Sequence, residues 1–414
     1  MFLGLIILAP IMGELWRLPL FGFDLLPSDI LIPVFIVVWG LSKIKTDPKI
    51  HVGKIGKMIS MFIFITILSY LLNTLRFDVK EMIIAGVYLG RFLMYVVLAL
   101  ITHDLLKRDK TSKTQNIILG SMVASMLLIA IFGFIQLTIF PSFLFLGMHL
   151  QGWDPHIGRL LSTWFDPNFV GGFLAYMIGL FVAITIYFRH TRQHKLMMLV
   201  GTATLIAIAA LWMTYSRSAY LALIATLGIL ALLKSRKMLI VVILIGVLGF
   251  SLSPRIQERT TDAWDSGKAI LGFDSEKPLD PTAKLRIKSW NNAVEIIKDY
   301  PMIGAGYGRY RNEIVNRGLG MSRDHASGGS DSSLLTIWAM TGVFGLLTYL
   351  GIYFMAIIEN IRLILKKRTL QSYINAGIIA GLMGLLVHST FVNSLPFPLI
   401  MVYLWVGVGM LDKK

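Results

Sequence analysis

The stretch LSKIKTDPKIHVGKIGK, residues 41–57, decides the fold. It places Lys43, Lys45, Lys49, Lys54 and Lys57 between two apolar runs of a chain that otherwise avoids charge. Four more clusters repeat the pattern: Lys107, Arg108, Lys110 and Lys113; Arg189, Arg192 and Lys195; Lys234, Arg236 and Lys237; Arg362, Lys366, Lys367 and Arg368. Each follows every second apolar run, and Lys413 and Lys414 close the chain in the same phase. A Lys and Arg excess in alternate short loops marks the cytoplasmic side of a membrane protein. The sequence therefore predicts a polytopic membrane protein with both termini cytoplasmic and its odd-numbered loops on the outer face.

Composition agrees. The 414 residues are 56% hydrophobic and 15% charged, with a mean hydropathy of +0.71; a soluble domain is about 25% charged. The net charge of +16 sits mostly in the cytoplasmic clusters, where it orients the chain and meets anionic membrane lipids. No nucleic-acid partner is expected from it. The chain has no cysteine, which excludes disulfides, thiolate metal ligands and cysteine nucleophiles. The N-terminal apolar run has neither a basic start nor a small-residue cleavage site and is read as a retained first helix.

A span needs about 20 apolar residues, and the pattern predicts about 12 of them. They cover residues 2–15 (short), 29–41, 58–75, 81–101, 117–140, 169–188, 196–214, 219–233, 238–252, 332–358, 374–388 and 396–410. The expected fold is all-α, divided into membrane helices one to nine (1–252), an extracytoplasmic loop (253–331) and membrane helices ten to twelve (332–414). A loop of that length is commonly functional. Within it Leu285, Ile287, Trp290, Val294 and Ile297 recur at helical spacing, with Arg286, Lys288, Asn291, Asn292, Glu295 and Lys298 between them. This reads as an amphipathic helix at the outer interface. Tyr300-Pro301 ends it, and the glycines of Gly304-Ala305-Gly306-Tyr307-Gly308 make a tight turn beyond.

The chemistry-bearing candidates are mostly arginines. Arg91 stands inside a span, where a charge needs a partner or a wet cavity; an anion contact and a structural ion pair are both open readings. Arg217, in Thr214-Tyr215-Ser216-Arg217-Ser218, lies in a tight outer turn. There Ser216 is a candidate N-cap, and an Arg at a helix N-terminus can hold an anion. Arg286, grouped with Trp290 and the glycine turn, ranks above Arg255 and Arg259 of the same loop. Arg159 is a further anion contact ahead of Leu161-Ser162-Thr163-Trp164-Phe165-Asp166-Pro167-Asn168. There Asp166 and Asn168 also read as helix caps, with Pro167 in the first turn. Base candidates on the outer side are Asp331, which has a capping alternative, together with His325 and Asp324. His388 is a histidine inside a span, where function and a structural hydrogen bond compete. No paired metal-ligand motif, Walker loop or nucleophile elbow is present, so neither metal nor cofactor is expected.

Outer arginines without a nucleotide site suit a donor that arrives already activated, such as a sugar on a polyprenyl diphosphate. As the glycosidic bond breaks, the diphosphate gains charge, and guanidinium groups aimed at it stabilise the transition state. An acceptor hydroxyl attacks the anomeric carbon with help from a base.

The segments 161–168, 216–218 and 286–310, and Asp331-Ser332-Ser333-Leu334 followed by Gly342 and Gly345, resemble in order and spacing the O-antigen ligase and O-antigen polymerase superfamily of bacterial envelope enzymes. The resemblance covers roughly the C-terminal two-thirds. It implies a GT-C-like helical fold in the bacterial inner membrane and a lipid diphosphate donor such as undecaprenyl diphosphate. It also implies metal-independent inverting transfer of a glycan to a glycan acceptor, and possible chain-length-regulator or flippase partners. The diphosphate-binding role falls on Arg217 and Arg286. Ligases of lipopolysaccharide carry a His-Asn pair where this chain has Asp331-Ser332, so the reading leans to a polymerase of surface-polysaccharide repeat units. A ligase with a lipid, protein or wall acceptor is the alternative, and a transporter of lipid-linked glycan a more distant one.

Overall fold

The computed structural model describes residues 1–20, 23–46, 52–76, 78–144, 156–235, 281–320 and 328–411, with scattered positions between 240 and 268. The helices are α1 (Phe2–Leu8), α2 (Pro27–Thr46), α3 (Lys54–Leu72), α4 (Val79–Arg108), α5 (Lys113–Ile139), α6 (Pro167–His190), α7 (His194–Met213), α8 (Arg217–Lys234), α9 (Pro281–Asp299), α10 (Tyr310–Asn316), α11 (Ser333–Lys366), α12 (Leu370–His388) and α13 (Pro398–Met410). A two-stranded antiparallel hairpin, β1 (Leu18–Leu20) and β2 (Phe23–Leu25), pairs Pro19 with Asp24. Its strands are a small exception to the all-α reading.

Among the described residues nine helices are long and apolar enough to cross a membrane. The chain is thus an all-α polytopic membrane protein. Of the 12 expected spans, the first and last are helices shorter than a bilayer requires, Phe2–Ile11 and Pro398–Met410. Most of the predicted ninth span lies outside the described residues.

The core is built on α6, α12 and α13. α6 packs on α12, α7 and α8, while α13 lies against α4. Small residues let these backbones meet, as is usual between membrane helices. A Cβ on Gly377 would come within 2.7 Å of the Leu180 backbone, and one on Gly179 within 2.5 Å of Thr226. Polar side chains between helices find partners: Asn375 Nδ2 donates to Asn360 Oδ1 at 2.6 Å and to the Leu411 carbonyl at 3.2 Å.

Contacts sort the loops into two ends. At one end the Lys43 ammonium pairs with Asp104 at 2.6 Å, Lys54 with Glu359 at 2.8 Å, and Lys234 Nζ donates to the Ile364 carbonyl and Ser372 Oγ, both at 2.6 Å. At the other end the Leu160 amide donates to the Met213 carbonyl at 2.9 Å, Thr163 Oγ1 to the Ile11 carbonyl at 2.7 Å, and the Ser333 amide to the Ser389 carbonyl at 2.8 Å. Basic clusters meet basic clusters, and odd-numbered loops meet odd-numbered loops.

α11 is broken at Gly342 (φ 68°, ψ −176°), and the glycine turn fills the break. The Ala305 amide donates to the Ala339 carbonyl at 2.8 Å, the Gly306 amide to the Met340 carbonyl at 3.2 Å, and the Val343 amide to the Pro301 carbonyl at 2.8 Å. Backbone groups freed by a break inside a membrane helix must be satisfied by protein, and this turn supplies their partners. Asn73 of the α3 end donates to the Gly304 carbonyl at 3.2 Å, which ties a third element to the joint.

Candidate functional site

The site is assembled at the end opposite the basic clusters. Asp166 caps α6: its Oδ1 accepts from the amides of Asn168 (2.6 Å) and Phe169 (3.3 Å), with Pro167 in the first turn. Ser216 caps α8, accepting from the Ala219 amide, so Arg217 is the first residue of that helix. Asn168 joins the two caps. Its Oδ1 accepts from Ser216 Oγ at 2.8 Å and from Arg159 Nη2 at 3.4 Å. Arg159 is itself buried and donates through Nε to the Thr214 carbonyl at 2.8 Å. Arg159, Asp166, Asn168 and Ser216 therefore belong to one bonded group around two helix N-termini, with Arg217 next in the chain after Ser216.

The segment 161–168 is held from below by Gln136. Its Oε1 accepts from the amides of Leu161 (2.8 Å) and Ser162 (3.3 Å), while Nε2 donates to the Phe140 carbonyl at 2.8 Å. Trp164 Nε1 donates to the Pro10 carbonyl at 2.8 Å. A polar residue in an apolar helix was the available sequence signal for Gln136, and it went unread.

α9 carries Arg286 inward. The apolar face differs from the one expected: Leu285 and Val294 are exposed, at 65% and 37%, whereas Ala283, Ala293, Ile296 and Ile297 are buried. Arg286 and Trp290 are half-buried and share the stripe of Ala283, Ala293 and Ile297, since residues three and four apart share a helix face. The helix is amphipathic, but its inner face includes a guanidinium.

Asp331 lies where α9 meets the start of α11. Its amide donates to Ser289 Oγ at 2.9 Å, and Ser330 Oγ donates to the Ser289 carbonyl at 3.3 Å. The capping alternative for Asp331 is corrected: Ser332 is the N-cap of α11, accepting from the Leu335 amide, so the Asp331 carboxylate is not used as the cap. Burial raises that carboxyl above its ordinary range; the nearby Arg286 charge pulls it down and Asp166 pushes it up. Arg286, Asp166 and Asp331 thus share one electrostatic environment.

His388 ends α12 fully buried. Its Nδ1 bonds to Ser394 Oγ at 3.1 Å, and its ring fills the space above Gly172 of α6, where a Cβ would lie 2.8 Å away. Nε2 meets the Asn168 backbone without reaching good hydrogen-bond geometry. The charge of Arg286 extends to this ring as well.

Arg91 stands apart. Its Nε donates to Asp29 Oδ1 at 2.8 Å, a second contact ion-pairs it with Asp29 Oδ2, and Nη2 also donates to the Asp24 carbonyl at 2.7 Å. Of its two readings the geometry is that of the structural ion pair. Asp324, His325, Arg255 and Arg259 lie outside the described residues. Among the described residues no group of three His, Asp or Glu is placed to hold a metal ion.

Fold and site together define a helical membrane protein with an arginine-bearing, carboxylate-bearing polar end built from three helix starts and a loop helix. Residues 202–350 match the family model described as O-antigen ligase. That stretch is similar to the O-antigen ligase family, in line with the superfamily that the chain's motifs resemble. The match contains Arg217, Arg286 and Asp331. No curated protein matches the chain.

Proposed function

We propose that the protein is a glycosyltransferase that takes an oligosaccharide from a polyprenyl diphosphate and joins it to an acceptor sugar hydroxyl on the outer face of the membrane. The observation that carries this reading is the inward-facing Arg286, with its charge acting on the half-buried carboxyl of Asp331. A cation for the leaving group and a carboxylate for the nucleophile share one site.

In this reading Arg217 and Arg286 hold the diphosphate. Arg217 is aided by the amides at the start of α8, where helix geometry favours an anion. Asp331 accepts the proton of the acceptor hydroxyl, whose oxygen bonds to the anomeric carbon from the face opposite the diphosphate. The glycosidic C–O bond breaks, and its electron pair leaves with the diphosphate, so configuration inverts. Arginine stabilisation grows with the developing charge and therefore lowers the barrier more than it strengthens ground-state binding. The reaction as written uses no metal, and the scaffold is GT-C-like. The basic clusters put the opposite end in the cytoplasm, and with it both termini.

Asp331-Ser332, in place of the ligase His-Asn pair, favours polymerisation of repeat units. The O-antigen ligase description of the matching family model keeps single transfer as the second reading. Chain-length-regulator or flippase proteins are partners of the proposed pathway, and a transporter would fail the test below. Purified protein is incubated with a defined lipid-linked oligosaccharide, and the product is sized on a gel. A ladder is expected; one shifted band indicates a ligase, and no product from wild type refutes the enzyme. Arg217→Ala and Arg286→Ala are each expected to cost 10²–10³-fold in rate, the scale of a lost oxyanion donor. Lys replacements restore part of it, because an ammonium cannot make the bidentate contact.

A further inference from the structure

The segment that carries Asp331 is gripped from two sides. From α9, Ser289 Oγ accepts from the Asp331 amide at 2.9 Å, and the Ser289 carbonyl accepts from Ser330 Oγ at 3.3 Å. The two bonds run in opposite directions between one residue of α9 and two successive residues ahead of α11. Such a pair fixes rotation as well as separation, which a single bond does not. From α11, Thr336 Oγ1 accepts from the Ser330 amide at 2.9 Å and donates to the Ser332 carbonyl at 2.8 Å. Ser330, Ser332 and Thr336 are buried, and Ser289 and Asp331 are half-buried.

Helix geometry extends this contact to Arg286. Residues three apart share a helix face and are separated by about 4.5 Å along the axis. Arg286 and Ser289 both lie on the inward stripe of α9, so the bond from Ser289 places the Asp331 backbone one helical turn from Arg286. The carboxyl of Asp331 feels that guanidinium. The far end of α9 has its own anchors. Asp299 pairs with Arg317 at 2.7 Å, and Arg317 Nη1 donates to the Glu295 carbonyl at 3.3 Å. Glu313 joins Arg317 (3.0 Å) to Arg76 at the end of α3 (2.9 Å). Asp299 is about 20 Å from Arg286 along the helix axis, so these anchors alone leave the Arg286 end free to swing. Ser289 supplies the near anchor. Serine is also a weaker helix former than alanine in a helix interior, so packing alone gives no reason for it here.

We infer that Ser289 is a positioning residue: it holds Arg286 on α9 and Asp331 ahead of α11 in fixed register, so that the cation for the leaving group and the proton acceptor face one substrate together. The inference rests on the glycosyl-transfer reading above and extends it to a residue that touches neither the diphosphate nor the sugar hydroxyl. Ser289 takes no proton from substrate and forms no bond to it. Its effect is on the alignment of two groups that do, and misplacing a reacting group by about 1 Å can cost about 10²-fold in rate.

The test is kinetic, on full-length protein with the defined lipid-linked oligosaccharide. Ser289→Ala is expected to lose about 10²-fold, with the larger part of the loss in kcat rather than KM. Its acid limb is expected to move to higher pH. The groups acting on or with the Asp331 carboxyl are Arg286 of α9, Asp166 at the start of α6 and Tyr310 at the start of α10. Of these Arg286 rides on the helix that Ser289 holds, and its charge lowers the carboxyl pKa, so its displacement raises the limb. Ser289→Thr keeps the hydroxyl and is expected to restore most of the rate and the wild-type limb. In an Arg286→Gln background Ser289→Ala is expected to cost much less than in wild type, because residues that act through one another are not additive. A serine needed only for folding lowers kcat in proportion to the folded fraction, leaves the limb in place and gives additive losses. An unmoved limb in Ser289→Ala overturns the inference, as does wild-type kcat in that variant. Should Ser289→Ala fail to fold, Ser330→Ala removes one of the two bonds and is expected to shift the limb in the same direction by less; an unmoved limb there is equally fatal. No transfer by wild type sinks the glycosyl-transfer reading and the inference with it, whereas transfer by wild type that Ser289→Ala leaves unchanged sinks the inference alone.

Discussion

Asp331 is the residue on which the proposed acid–base chemistry turns. As the base it must be a carboxylate to accept a proton, so rate falls as pH drops through its pKa. Burial sets that pKa above the ordinary carboxylate range, and Arg286 draws it back. The acid limb of the pH–rate profile is therefore expected above the usual carboxylate pKa of about 4. In Arg286→Gln, which removes the charge that opposes burial, the limb moves to still higher pH in whatever activity remains. Asp331→Asn is expected to lose 10²–10⁴-fold in rate, the range for a general base, and an acid limb that persists unmoved in that variant assigns the base elsewhere. The sequence pointed to Asp331, Arg217 and Arg286 because charges beside apolar runs are conspicuous. It could not choose between Asp331 and Ser332 as the α11 cap, since both are good caps and adjacent. Ser289 and Ser394 gave no signal at all: a single polar residue has no periodicity.

The joint between the glycine turn and α11 is the element that positions the loop helix, and it is held by shape. Gly342 has a backbone conformation that is essentially restricted to glycine, and a Cβ there would lie 2.0 Å from the Met302 carbonyl oxygen. Gly304 faces it with φ 79° and a Cβ position 2.3 Å from the Met340 backbone. Gly342→Ala is expected to destabilise the protein by about 1–3 kcal/mol from strain alone, with the clash adding to it. Thermal unfolding in detergent measures this. Gly351→Ala, in the same helix with only ordinary contact to Met58, is expected to be neutral or stabilising by about 0.4–1 kcal/mol. Equal midpoints for the two variants would show that the break in α11 does not depend on this glycine. The helices themselves were readable from long apolar runs. The break was not, because glycine is ordinary in membrane helices. The buried face of α9 was misjudged because a hydropathy rule turns every arginine outward, and at Arg286 the packing of Ala283 and Ala293 turns it inward.

For the molecule as a whole, sidedness is the claim on which the chemistry depends, and this chain permits a direct measurement. It has no cysteine, so any introduced thiol is the single reactive one. Gln193, exposed in the turn between α6 and α7, lies among Arg189, Arg192 and Lys195 at the basic end; Lys288 is exposed on α9, which packs against the start of α11 at the other end. In intact spheroplasts a membrane-impermeant maleimide is expected to label Lys288→Cys fully. Gln193→Cys is expected to react only after permeabilisation. The physical reason is that lysine and arginine near span ends resist translocation, whereas long loops cross largely regardless of charge. A lipid-linked donor whose energy has already crossed the membrane needs the Arg217, Arg286 and Asp331 end outside; with that end in the cytoplasm nucleotide-activated sugars would be available, and the case for a diphosphate-held lipid donor would lose its chemical ground. Labelling of Gln193→Cys in intact spheroplasts with Lys288→Cys protected is the outcome that reverses the orientation and removes the proposed reaction.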